Sequence, residues 1–142
     1  MTDNEVMITV TGSGELTAEG DSVVTRSRGR FFKKNGKIYL LYELPDENEK
    51  DLIIKHTVII RETSIEVKKS GGGMETRIVY APGVSHETKY ATPFGDINLT
   101  FVTKSLEVDE NDENLTVNVL YDIAMGEEVI SKNRLVMEVS YV

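Results

Sequence analysis

The stretch Leu115-Thr-Val-Asn-Val-Leu-Tyr-Asp-Ile-Ala-Met125 decides the fold. Its main apolar residues fall on every second position: Leu115, Val117, Val119, Tyr121, Ile123 and Met125. In extended backbone, successive side chains point to opposite faces, so this pattern buries one face of a strand. Downstream, Gly126-Glu127 turns into a strand on which Leu135, Met137, Val139 and Tyr141 share a face. Upstream, Asp109 to Asn114 is an acidic hairpin loop. Before that loop, Ile97, Leu99 and Phe101 alternate in one parity, then Val102, Lys104, Leu106 and Val108 continue in the other. A one-residue slip within a strand is what a β-bulge produces, and one is expected between Phe101 and Lys104.

The same period recurs to the amino end, and no window shows a helical one. Val6, Ile8 and Val10 make a first strand, and a second runs from Ser22 to Lys34. Asn35-Gly36 then predicts a type I′ hairpin turn, which needs positive φ at both central residues. Ile38, Leu40, Tyr42 and Leu44 share the next inner face, and Leu52, Ile54, His56, Val58 and Ile60 the one after. Ile65 and Val67, a turn at Gly71 to Gly73, a strand from Met74 to Tyr80 and a turn at Pro82-Gly83 follow. About ten strands joined by short turns, with no helical crossover, predict antiparallel neighbours. The expected fold is all-β: residues 1–142 as a single antiparallel up-and-down β-barrel, favoured over a sandwich because the connections read as successive hairpins.

Two strands depart from the aliphatic pattern. In the second, Arg26, Arg28 and Arg30 share a face that belongs outside, since uncompensated guanidinium groups inside would cost too much. The face left for the interior carries Thr25, Ser27 and Gly29, small residues that leave volume. Gly29 in mid-strand also fits a bend of the kind barrel closure needs. The other exception is Ser85-His-Glu-Thr-Lys-Tyr-Ala-Thr92, which has no Val, Ile or Leu. Alternation puts Glu87 and Lys89 outside and His86, Thr88 and Tyr90 inside. An aliphatic wall with Tyr42, His56, His86, Thr88 and Tyr90 as polar points has the makeup of a small-molecule site.

Composition narrows the partners. With 24 acidic and 16 basic residues the net charge is −8, which disfavours nucleic acid and anionic membrane. There are no cysteines, hence no disulfides or thiolate metal sites. The first twenty residues hold no Lys or Arg and no long apolar run, and no stretch approaches a membrane span, so a cytoplasmic protein is expected. The two histidines lack metal-ligand spacing, the acidic loop lacks the calcium-loop pattern, and no nucleophile motif occurs, so neither a cofactor nor a catalytic set is assigned. The expected ligand is a small apolar or amphipathic molecule inside the barrel, oriented by His86 and Tyr90, in a cavity reaching one mouth. Two alternatives stand beside it. One is an acidic protein partner docking on Arg26, Arg28 and Arg30; the other is an enzyme with His86 as general base.

The segments Ile8-Thr-Val-Thr-Gly12, Gly29-Arg-Phe-Phe-Lys-Lys-Asn-Gly-Lys37 with Tyr42-Glu43, Thr76-Arg-Ile-Val-Tyr80, Tyr90-Ala-Thr-Pro-Phe-Gly95, Thr103 and Ser131-Lys-Asn-Arg-Leu135 come in the order of a known family. Together they resemble the YwiB-like bacterial family from about Ile8 to Val139, most specifically in Tyr-x-Thr-Pro-Phe-Gly. The resemblance implies a calycin-like, lipocalin-type barrel in a soluble bacterial protein. The family is a domain of unknown function, so the resemblance carries no site residues over.

Overall fold

The structure is a computed structural model and describes residues 4–14, 23–45, 49, 51–92 and 95–141. Ten strands run in chain order as β1 (Glu5–Gly14), β2 (Val23–Lys34), β3 (Lys37–Pro45), β4 (Ile53–Ile60), β5 (Ile65–Gly71), β6 (Met74–Tyr80), β7 (Ser85–Thr92), β8 (Gly95–Glu110), β9 (Asn114–Met125) and β10 (Glu128–Tyr141). All pairings are antiparallel, in the order β6-β5-β4-β3-β2-β1-β10-β9-β8-β7. The first strand therefore pairs with the last, from Val6↔Tyr141 to Gly14↔Asn133, and rolls the meander into a nearly closed barrel. No helix among the described residues is long and apolar enough to cross a membrane.

Local chemistry sets the turns. Asn35 and Gly36 both have positive φ, 54° and 75°, as the type I′ turn demands. Gly72 and Gly73, at 59° and 80°, do the same between β5 and β6. In the acidic loop, Asn111 Oδ1 accepts hydrogen bonds from the amides of Glu113 and Asn114, both at 2.8 Å. That loop is thus tied by its own amide side chain. The Pro93–Phe94 turn lies outside the described residues.

The alternating residues converge on one core. Val6, Ile8, Leu40, Val58, Ile65, Leu115, Val117, Val119 and Val139 are buried completely or nearly so. Each aliphatic side chain taken from water contributes about 1.5–3 kcal/mol, which makes this layer the fixed part of the molecule. The bulge expected in β8 lies between Thr103 and Ser105, with Lys104 the extra residue. A second bulge in β10, at Ile130 between Val129 and Ser131, has no parity conflict to announce it.

The seam in this barrel lies between β6 and β7, consecutive in sequence yet the two edges of the sheet. Side chains and one turn bridge it. Ala81-Pro82-Gly83-Val84 closes through Val84 N–H to the Ala81 carbonyl at 3.0 Å, with Gly83 at φ 79°. Buried Thr103 holds that turn from below: its Oγ1 accepts from Ala81 N–H at 3.1 Å and its carbonyl from Gly83 N–H at 3.4 Å. Higher up, His86 Nε2 lies 3.0 Å from the Arg77 carbonyl, so the imidazole replaces a backbone partner. Beneath the seam, Tyr80 packs edge-on against Phe101 and tilted against Tyr121, at 6.2 and 4.9 Å between ring centroids.

Candidate functional site

A second opening comes from β2 changing partners midway. Its residues Val23–Arg30 pair with β1, whereas Gly29–Lys34 pair with β3. Beyond Gly29↔Tyr42 no pairing joins β2 to β3, although β3 stays paired with β4 as far as Pro45↔Ile53. The upper halves of β2 and β3 therefore part. Gly29 stands at the fork for a steric reason. A Cβ there would sit 2.6 Å from Ile8 Cδ1 and 2.7 Å from the Leu41 carbonyl oxygen. This corrects the expectation that Gly29 leaves volume, because Ile8 and Leu41 fill the room its side chain would occupy.

The parted strands enclose a concavity of about 760 Å³, within the range of small-molecule sites. Ser27 and Gly29 border it on β2, Leu41 to Pro45 on β3, and Lys55, His56 and Thr57 on β4. Arg26, Arg28 and Arg30 stand at its rim with Glu5, which pairs loosely with Arg28 at 3.9 Å. The opening is in the side wall, rather than at a mouth.

Tyr42 and His56 meet in this concavity because they are register partners on the inner faces of β3 and β4. Their rings stack at 4.7 Å between centroids and 14° between planes. Burial pushes the Tyr42 phenol up to about 12. His56 is pushed down to about 4, first by burial and then by the charge of Lys69, its partner across β4 and β5. The ring is therefore neutral at physiological pH. Its Nδ1 is buried and has no hydrogen-bond partner among the described residues. Leaving such an atom unpaired costs about 1–3 kcal/mol, so a polar group brought to it would be favoured by a similar amount.

The other expected site residues lie elsewhere. His86 and Thr88 are half-buried and alternate with exposed Ser85, Glu87 and Lys89, so the alternation of β7 is as read. Neither lines this concavity, and His86 engages Arg77 across the seam. The Tyr90 side chain lies outside the described residues. A second concavity, about 530 Å³, shares Glu5 with the first and lies between Val6, Phe31, Lys33, Glu110 and Tyr141. Its polar groups satisfy one another. Lys33 Nζ is 2.7 Å from Glu110 Oε2, and the Tyr141 hydroxyl donates to the same oxygen at 3.0 Å. No cluster of three or more metal-ligating side chains exists among the described residues. Sequence reasoning placed Tyr42, Leu44 and His56 on inner faces but missed Pro45 and Lys55 as wall residues. The glycine at the fork is the sole trace of the split in the sequence.

Comparison with known proteins is consistent with this architecture. Residues 8–137 match the model of a domain of unknown function, DUF1934. The chain is 31% identical over 128 residues to the uncharacterized beta-barrel protein YwiB of Bacillus subtilis (strain 168), covering 87% of this chain and 86% of that protein. It superposes on the crystal structure of the ywiB protein from Bacillus subtilis with a TM-score of 0.81. That superposition spans 99% of this chain and 93% of the other, at 21% identity.

Proposed function

Since the chain belongs to the DUF1934 family, a β-barrel family of unknown function, we propose from the split wall that it binds a small amphipathic molecule between β2 and β3. In this reading the apolar body of the ligand lies against Leu44, Pro45 and the face of Tyr42. A polar group of the ligand meets His56 Nδ1, as donor or acceptor according to the imidazole tautomer. Orientation then falls to Tyr42 and His56 rather than to His86 and Tyr90. The observation that carries the reading is the unpaired Nδ1, buried in a ring that lines a concavity of ligand size. Apolar walls with a few fixed polar points are the usual composition of such sites.

Native mass spectrometry of protein purified from its own host tests it. A retained small molecule is expected in the natural protein and should be absent from Ser27→Phe, which fills the concavity from β2. An adduct kept equally by both proteins, or found in neither, sinks the reading.

A further inference from the structure

A carboxylate is buried on the outside of the barrel. Glu66 lies on the outward face of β5, between Ile59 of β4 and Val79 of β6 in register, yet it is only 3% exposed. An isolated carboxylate there would be strongly unfavourable. Three cations compensate it: Arg61 at 3.0 Å from Oε1, Lys68 at 3.8 Å from Oε2, and Arg77, whose Nε donates to Oε2. Burial works to raise the Glu66 pKa, but hydrogen bonds from Arg77 and Arg61 and the charges of Arg77 and Lys68 outweigh it and hold the carboxyl below its usual range. One anion set among three cations leaves a surplus of positive charge, held in place on the wall.

That surplus is one end of a band. Register sets Arg30, Leu41, Thr57, Lys68 and Arg77 side by side across β2 to β6. Four strand spacings separate the ends, about 19 Å. Beside Arg30 in the band, Leu41 is 38% exposed, a large apolar side chain between two cationic ends. The other wall is acidic, with Glu107, Asp109, Glu128 and Glu138 all exposed on β8 and β10. Positive charge is thus gathered on one side of a chain whose net charge is −8.

We propose that this wall docks a short acidic segment of a partner protein, laid across the strands. The segment is about six extended residues long, the number that spans 19 Å. Carboxylates at its ends meet Arg30 and the Lys68–Arg77 pair, and an apolar residue between them covers Leu41. Glu66 is the positioning residue, because it gathers cations that would otherwise repel one another. The net charge selects a short segment over a long polyanion. Screening confines a short segment to the field of the band, within about 8–10 Å, whereas a nucleic acid also meets the acidic wall.

Fluorescence anisotropy with a labelled peptide of sequence Asp-Glu-Asp-Leu-Asp-Glu-Asp, at low salt, tests the proposal on the full chain. Binding is expected, weakening with salt. Lys68→Glu should weaken it by about tenfold or more, as charge reversal at a complementary contact does. Arg30→Glu lies outside the Glu66 cluster and keeps the test valid if the Lys68 variant folds poorly; it should cost severalfold. Lys132→Glu on the other wall should change nothing. Absence of peptide binding overturns the proposal, as does binding insensitive to Lys68→Glu and Arg30→Glu. Tighter binding of a single-stranded oligonucleotide or of phosphatidylglycerol vesicles at the same band overturns it in favour of those partners.

Discussion

The sheet comes apart in two places, and the two are finished differently. At the β6–β7 seam the edges lack a ladder, yet Thr103, His86 and the Ala81–Val84 turn supply substitutes for the missing backbone partners. At the β2–β3 split the strands diverge above Gly29, and a buried imidazole nitrogen is left unpaired. The seam is the gap that the topology makes and side chains close. The split begins at Gly29, where the β2–β3 pairing ends, and the imidazole nitrogen in its floor stays unsatisfied. The contrast separates a construction joint from a candidate binding site. It also says where a substitution should hurt and where it should help.

Four outcomes bear on that contrast. The largest effect is expected in the common core, at Leu40, which is fully buried with Phe31 and Val58 as register neighbours. Leu40→Ala should cost about 2–5 kcal/mol in urea unfolding. A loss below about 1 kcal/mol would show that the common core does not clamp the two openings. At the seam, Thr103→Val removes the acceptor for Ala81 N–H and should cost about 1–3 kcal/mol. Hydrogen exchange should quicken at Ala81 and Val84 but not along the upper halves of β2 and β3. Equal quickening at both would mean that seam and split are one unit.

The split should announce itself in acid. His56 has its pKa lowered to about 4 from 6.5. Between those values the unfolded chain holds a proton that the native ring refuses, so stability is complete above pH 6.5 and falls as the pH drops toward 4. Allowing for the partial exposure of the ring, the loss should be about 1–2 kcal/mol. His56→Leu should flatten that part of the profile and leave a further decline below pH 4.5, where the depressed Glu66 carboxyl takes up its proton. An unchanged slope in His56→Leu would remove the unpaired imidazole as a source of instability. The smallest effect belongs to His86→Ala. It trades one partly exposed hydrogen bond to Arg77 for water, about 1 kcal/mol or less in the same unfolding assay.

Much of the barrel was legible because side-chain parity is a local property. Asn35-Gly36, the outward arginines of β2 and the parity slip after Phe101 each state their consequence within a few residues. The site was less legible because it depends on which strands pair and for how long. Tyr42 and His56 read separately as inward polar residues, and only the β3–β4 register stacks them. Gly29 signalled a bend without saying that β2 exchanges β1 for β3 there. Nothing in the sequence marks Glu66, since Arg61, Lys68 and Arg77 converge on it only once β4, β5 and β6 lie side by side. The bulge at Ile130 left the alternation undisturbed, because Ser131 breaks the apolar pattern where the slip occurs.

The pairing of β1 with β10 has a kinetic consequence. Val6 must find Tyr141, so the cylinder cannot shut until the most distant parts of the chain have met. Contacts so remote in sequence form late and slow folding. Meanwhile β1 presents a bare hydrogen-bonding edge of the kind that recruits stray strands into aggregates. A circular permutant that links Tyr141 to Glu5 through a short loop and starts anew within Ala81–Val84 would turn that remote meeting into a local hairpin. Its new ends would fall where the sheet already lacks a ladder, so it should fold faster and aggregate less.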